Sequence, residues 1–247
     1  MKITINKQIF LNKFLYSISK FTDKAVLGLN KDYIDCISHL DEKDSKQTII
    51  LYSKTMVNND EIDKPINLNI LSIKKLAYAI NCINQDIIQL EINTNNIAYT
   101  SEELNFKFHL LEDGILENQT LNVNRLNELT FDFEFVLTND KLNDIIKASA
   151  FINDINKIYL YTKNDVLFCD ITDRNISNVD TISLPLGKLV SGNINETTPL
   201  KLNIFKILSS LKNDKFIIKI HNKTGIIVFE INEPEYNLKY IVTALIK

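Results

Sequence analysis

Side chains able to do acid–base, nucleophilic or metal chemistry are few and scattered in this sequence. The three histidines, His39, His109 and His221, and the three cysteines, Cys36, Cys82 and Cys169, fall in no HxH, HExxH or CxxC spacing. Neither a zinc centre nor a redox pair is encoded. The histidines read as structural residues of strands. An odd number of widely spaced cysteines argues against a disulfide framework and for buried thiols in a reducing compartment. The one compact charged group is DITDR, with Asp170, Asp173 and Arg174. Two carboxylates need further oxygen ligands to hold a cation, and the neighbourhood offers none; the segment reads as a strand leaving for a turn. With five glycines in 247 residues and no GxxxxGK[ST], GxGxxG or GxSxG, no phosphate cradle or nucleophile elbow is present. The expectation is a protein without catalytic residues, metal or cofactor.

What the sequence does concentrate is positive charge. Four segments, about 7–20, 72–83, 139–151 and 203–212, place apolar residues at helical spacing, as in Phe10, Phe14, Ile18 and Phe21. Together they hold nine lysines and two aspartates, net +7, so the remainder of this −3 chain carries −10. At 100° per residue, Lys13 and Lys20 point away from the stripe Phe10, Leu11, Phe14, Leu15 and Ile18. Lys74 likewise opposes Leu76, Ile80 and Ile83, and Lys206 opposes Ile204, Ile207, Leu208 and Leu211. In the third helix Lys147 shares its outer face with Asp144. Any single lysine face can be mere solvation, but four of them in an acidic protein suggest phosphate contact. Arg125 and Arg174 are the only arginines. Lysine acts on phosphate as a point charge, without the bidentate base reading for which arginine is suited, so the contact would be blind to sequence.

The elements that must carry these faces are mostly strands. Alternation in Ile3-Ile5, Ile88-Leu90-Ile92, Phe106-Phe108-Leu110, Ile158-Leu160, Phe216-Ile218-Ile220 and Tyr240-Val242-Ala244 predicts half-buried antiparallel strands. Ser72 and Thr138 stand where helix N-caps belong. The order is strand, helix, three strands, repeated to give four units. Leu68-Asn69-Ile70 matches Leu202-Asn203-Ile204, and Ile87-Ile88-Gln89-Leu90 matches Ile217-Ile218-Lys219-Ile220, which suggests duplication. The Asn-rich stretch 112–130 reads as a connector between a first domain, 1–111, and a second, 131–247. The fold class is α+β. The start, MKITINKQIF, lacks the apolar core of a signal peptide, and no apolar run approaches a membrane span, so a cytoplasmic protein is expected.

Duplicated strand-helix-three-strand units, a connector, lysine-bearing helices and the closing strand LKYIVTALIK resemble the DNA polymerase sliding clamps of the two-domain type. The short loops and composition look viral, which would place the protein in the host-cell cytoplasm. The cellular acidic tail is absent from LKYIVTALIK. The resemblance implies the DNA-clamp fold and three subunits closed head to tail, with twelve helices around duplex DNA. Lys13, Lys20, Lys74, Lys147 and Lys206 would face the DNA, with Lys7, Lys75, Lys141 and Lys212 at the margins. Ring closure would pair edge strands 104–111 and 180–187, through Phe106, Phe108 and Leu110 on one side and Ile182, Leu184 and Leu186 on the other. A short apolar peptide of the polymerase or clamp loader would dock on Leu116, Leu121, Val123 and Leu126 with Tyr240, Val242, Ala244 and Ile246. Individually each of these eight reads more readily as core than as pocket, because strand alternation sends half the side chains inward regardless. ATP hydrolysis for ring opening would belong to the loader. Two other readings remain: a monomeric clamp-like DNA-binding or transcription co-factor, and a β-rich viral structural protein whose lysines are only solvated.

Overall fold

The computed structural model describes residues 1–42, 47–59, 62, 64–152, 155–192, 194, 197–211, 213 and 215–243. The chain divides into two compact units, one of residues 1–40, 50–121 and 232–239, the other of 41–49, 122–231 and 240–247.

In the first unit β1 (Lys2–Asn6) leads into α1, which is π-helical over Ile9–Leu15 and α-helical over Tyr16–Phe21. Strands β2 (Ala25–Leu29), β3 (Tyr33–Glu42) and β4 (Gln47–Met56) follow, then β5 (Ile66–Ile70), α2 (Ile73–Asn81), β6 (Ile87–Asn93), β7 (Asn96–Thr100) and β8 (Asn105–His109). These strands hydrogen-bond in two series, β1-β6-β7-β8 and β4-β3-β2-β5. Register follows the alternation: Ile3 faces Leu90 and Ile5 faces Ile88, all four of them buried. Burying such a side chain is worth about 1.5–3 kcal/mol, which holds the pairing against a one-residue slip. The apolar stripe Phe10, Leu11, Phe14, Leu15 and Ile18 is buried, and α1 packs on α2. The Tyr236 hydroxyl, itself buried, donates to Ser17 Oγ of α1 at 3.1 Å.

The second unit begins with a helix of one turn and a half, α3 (Val123–Asn127), which the sequence reading left inside an irregular connector. It continues through β9 (Phe133–Thr138), α4 (Asn139–Ser149), β10 (Lys157–Lys163), β11 (Val166–Ile171), β12 (Ile182–Lys188), the two-residue β13 (Ser191–Gly192), β14 (Thr198–Lys201), α5 (Leu202–Ser210), β15 (Lys215–His221) and β16 (Ile226–Glu233). The order is β12-β11-β10-β14 in one series and β13-β9-β15-β16 in the other. Helices α4 and α5 pack together, and Phe205 of α5 meets Phe229 of β16 edge to face at 5.7 Å between ring centroids. The last strand, β17 (Tyr236–Thr243), contributes residues to both units.

Strand, helix and three strands therefore recur four times, as expected, with α3 and β13 added. Leu68-Asn69-Ile70 stands before α2, in β5, and Leu202-Asn203-Ile204 opens α5, as expected, so this tripeptide match joins the end of a strand to the start of a helix. The match of Ile87–Leu90 with Ile217–Ile220 holds, since both follow a helix as the first strand of three. Among the described residues no helix is long and apolar enough to cross a membrane.

Candidate nucleic-acid interface

Local chemistry fixes the helices that carry the lysines. The Ser72 side chain accepts from the Lys75 backbone N–H at 3.3 Å and donates to Asp23 Oδ2 at 3.0 Å, while Asp23 Oδ1 accepts from the Lys74 N–H at 3.0 Å. A hydroxyl cap and a carboxylate at the N-terminus satisfy amide donors that the helix leaves over, and the carboxylate complements its dipole. Thr138 caps α4 in the same way, accepting from the Lys141 N–H at 3.4 Å. The buried stripes are Ile73, Leu76, Ala77 and Ile80 on α2, Leu142, Ile145 and Ser149 on α4, and Leu202, Ile204, Phe205 and Leu208 on α5.

Opposite those stripes, Lys20, Lys74, Lys75, Lys147 and Lys206 are exposed and make no ion pair among the described residues. The other expected lysines differ. Lys13 is half-buried and lies 3.7 Å from Glu233, and Lys141 is neutralised along its own helix by Asp144 at 3.4 Å. Lys7 turns its ammonium onto the carbonyls of Asn81 and Ile83, closing the C-terminal end of α2. A cation there offsets the negative end of the helix dipole. Lys212 lies outside the described residues. Lys13 differs from the expectation through Glu233, a partner outside its own helix that a helical wheel does not contain.

The two strands expected to close a ring are both terminal strands of their series. Among the described residues β8 pairs only with β7, and β12 only with β11. Phe106, Phe108 and Leu110 are half-buried, as are Ile182 and Leu184, while Leu186 is buried. Pro185, which has no N–H to donate, is tolerable in β12 because the strand is an edge. Unpaired edges of this kind invite pairing with another chain.

For the peptide site, Leu116, Leu121 and Val123 are half-buried and Leu126 is buried. Tyr240 and Val242 are 1% and 0% exposed and offer no surface to a peptide, a correction to the sequence reading. They share strand parity with Tyr236, whose hydroxyl points to α1, so they belong to the core face of β17. Ala244 and Ile246 lie outside the described residues.

The residues considered for chemistry are occupied otherwise. Asp170 pairs with Arg174 at 3.0 Å, and Asp173 with Lys157 at 3.0 Å, so the carboxylates of DITDR form two separate ion pairs. The hydrogen bond from Lys157 holds the Asp173 carboxyl below its ordinary range. His221 bonds Thr224 at 2.8 Å, while His39 and His109 are exposed. Cys36 and Cys169 are buried, and burial pushes both thiols up to about 12. Cys82 is exposed, against expectation, because it follows the last turn of α2.

No protein-family profile and no curated protein matches the sequence. Solved structures do match, over nearly the full length. The chain is similar to proliferating cellular nuclear antigen (PCNA) from Entamoeba histolytica at TM-score 0.77 and 14% identity, covering 99% of this chain and 98% of that one. It is similar to A. fulgidus PCNA with the C-terminal region of FEN-1 bound at TM-score 0.74 and 12% identity, covering 100% and 98%. A third neighbour, the PCNA2–PCNA3 complex of Sulfolobus tokodaii, gives TM-score 0.69 and 14% identity over 99% of each chain. The chain has the fold of the PCNA sliding clamps.

Proposed function

We propose that this protein is a DNA sliding clamp, a homotrimeric ring that encloses duplex DNA and tethers the replicative polymerase. The observation that carries the reading is the pairing of that fold with five exposed lysines on its helices, free of ion pairs among the described residues. Five point charges per chain hold the phosphate backbone by counterion release and read no bases, which permits sliding. Closure joins β8 of one copy to β12 of the next, a heterologous contact that forms a ring when the rotation closes. The domains 1–111 and 131–247 are the two clamp domains, joined by the connector 112–130. Polymerase and loader peptides dock on the connector through Leu116, Leu121 and Val123, and the protein itself performs no catalysis. The test is retention on linear duplex that the protein enters from a free end before both ends are blocked, measured before and after one block is cut away. A ring is held between the blocks and runs off once an end is free; a protein that binds DNA from outside is released equally from both.

A further inference from the structure

Among the described residues only two aromatic side chains stand exposed, Tyr78 at 66% and Phe151 at 69%. Each lies four residues after one of the lysines without an ion pair: Tyr78 after Lys74 on α2, and Phe151 after Lys147 in the turn that ends α4. Side chains four apart on a helix are neighbours, which sets the Tyr78 ring beside Lys74; Phe151 follows Lys147 just past the end of α4, in the turn closed by its N–H on the Ala148 carbonyl. A lysine needs only phosphate, and duplex DNA offers phosphate all along its backbone. The flat face of a ring gains little from a duplex, whose bases are stacked away and present only their edges. An unpaired base offers its own π-face, and basic groups interleaved with stacking aromatics are what single strands are held by.

We propose that these two helix faces bind single-stranded nucleic acid, with Tyr78 and Phe151 stacking on unpaired bases while Lys74 and Lys147 hold the adjoining phosphates. This rests on the reading that the lysine faces meet DNA, and it adds a preference the lysines alone cannot supply. A clamp so equipped grips the unpaired template beside a primer end more tightly than the duplex behind it.

The full-length protein is titrated against a fluorescent oligothymidine strand and against a duplex of equal length, with Tyr78→Ala, Phe151→Ala and Tyr78→Phe beside the parent. Single-strand affinity should fall by about fivefold to 150-fold per ring lost to alanine, the range that stacking of one base corresponds to. Duplex affinity should stay within about twofold, Tyr78→Phe should behave as the parent, and the mass in solution should not change. The proposal is overturned if single-strand affinity is unchanged, if both ligands weaken equally, or if the alanine variants lose mass, which would make the rings contacts between copies. A Lys74→Ala, Lys147→Ala double variant separates the two levels. If it binds both ligands like the parent, the lysine reading itself has failed.

Discussion

Replacing Lys74 and Lys206 by alanine removes one exposed ammonium group from each unit, neither of them in an ion pair among the described residues. Each lysine that neutralises a phosphate contributes about 0.9 to the slope of log affinity against log salt, so the double variant should lower that slope by about 1.8 for each copy in the ring whose two lysines meet the backbone. Over a rise from about 50 to 200 mM salt, a slope of 1.8 amounts to roughly a tenfold change in affinity, which the parent should lose and the variant should not. Lys13 and Lys141 provide the internal control. Glu233 stands 3.7 Å from Lys13 and Asp144 stands 3.4 Å from Lys141, so each already has a counter-charge to satisfy. Alanine at those two positions should change the slope by less than half as much. Fluorescence anisotropy on a labelled duplex at four salt concentrations measures all three proteins, and a thermal melt confirms that the exposed substitutions leave stability within about 0.5 kcal/mol. Equal slopes for parent and the Lys74, Lys206 variant would refute the reasoning, as would an equal drop in the control.

Other perturbations test the framework that carries the lysines. Ser72→Ala should destabilise the protein by about 1 kcal/mol in urea unfolding, because the Lys75 amide and the Asp23 carboxylate both lose a partner. Gly192→Ala should cost more than Gly28→Ala: at Gly192, φ is +75° and a methyl would run into the Asp132 carbonyl, whereas at Gly28 it would meet only side chains, those of Asp35 and Asn30. A thiol reagent should modify Cys82 alone in the folded protein and all three cysteines after denaturation. Cys36, Cys169 and Tyr52 are each pushed up to about 12 by burial, from 9.0 for the thiols and 10.0 for the phenol. Above about pH 9 the unfolded chain sheds protons that the folded one keeps, so stability should fall as pH climbs toward 12. A pH series of melts reads this out, and replacing both buried cysteines by alanine should flatten it.

The helices were legible because each rests on a local signal, a hydroxyl before an apolar stripe at Ser72 and Thr138. Alternation marked β8 and β12 as strands, but their place at an edge came from matching element order to the sliding-clamp resemblance. The failures are tertiary. Glu233 is 220 positions from Lys13, and the carbonyls that take the Lys7 ammonium are more than 70 positions away, so no window of sequence joins them. In β17 both parities carry apolar residues, Tyr240 and Val242 on one face and Ile241 on the other. Alternation therefore shows that there are two faces without saying which is core, and Tyr240 and Val242, expected at the peptide site, are core. Cys82 was judged by its residue type, whereas its place after a helix end decides its exposure. Tyr78 and Phe151 did carry a readable signal, an aromatic four residues after a lysine on the polar side of a helix.

Absolute mass by light scattering, followed over a concentration series, bears most directly on the claim that this chain closes into a ring. The chain is 28.5 kDa, and three copies are 85.5 kDa. The account predicts the trimer mass, lost when Phe108→Glu and Leu184→Glu place charge on the two edges that must meet. A 28.5 kDa particle at every concentration would contradict it.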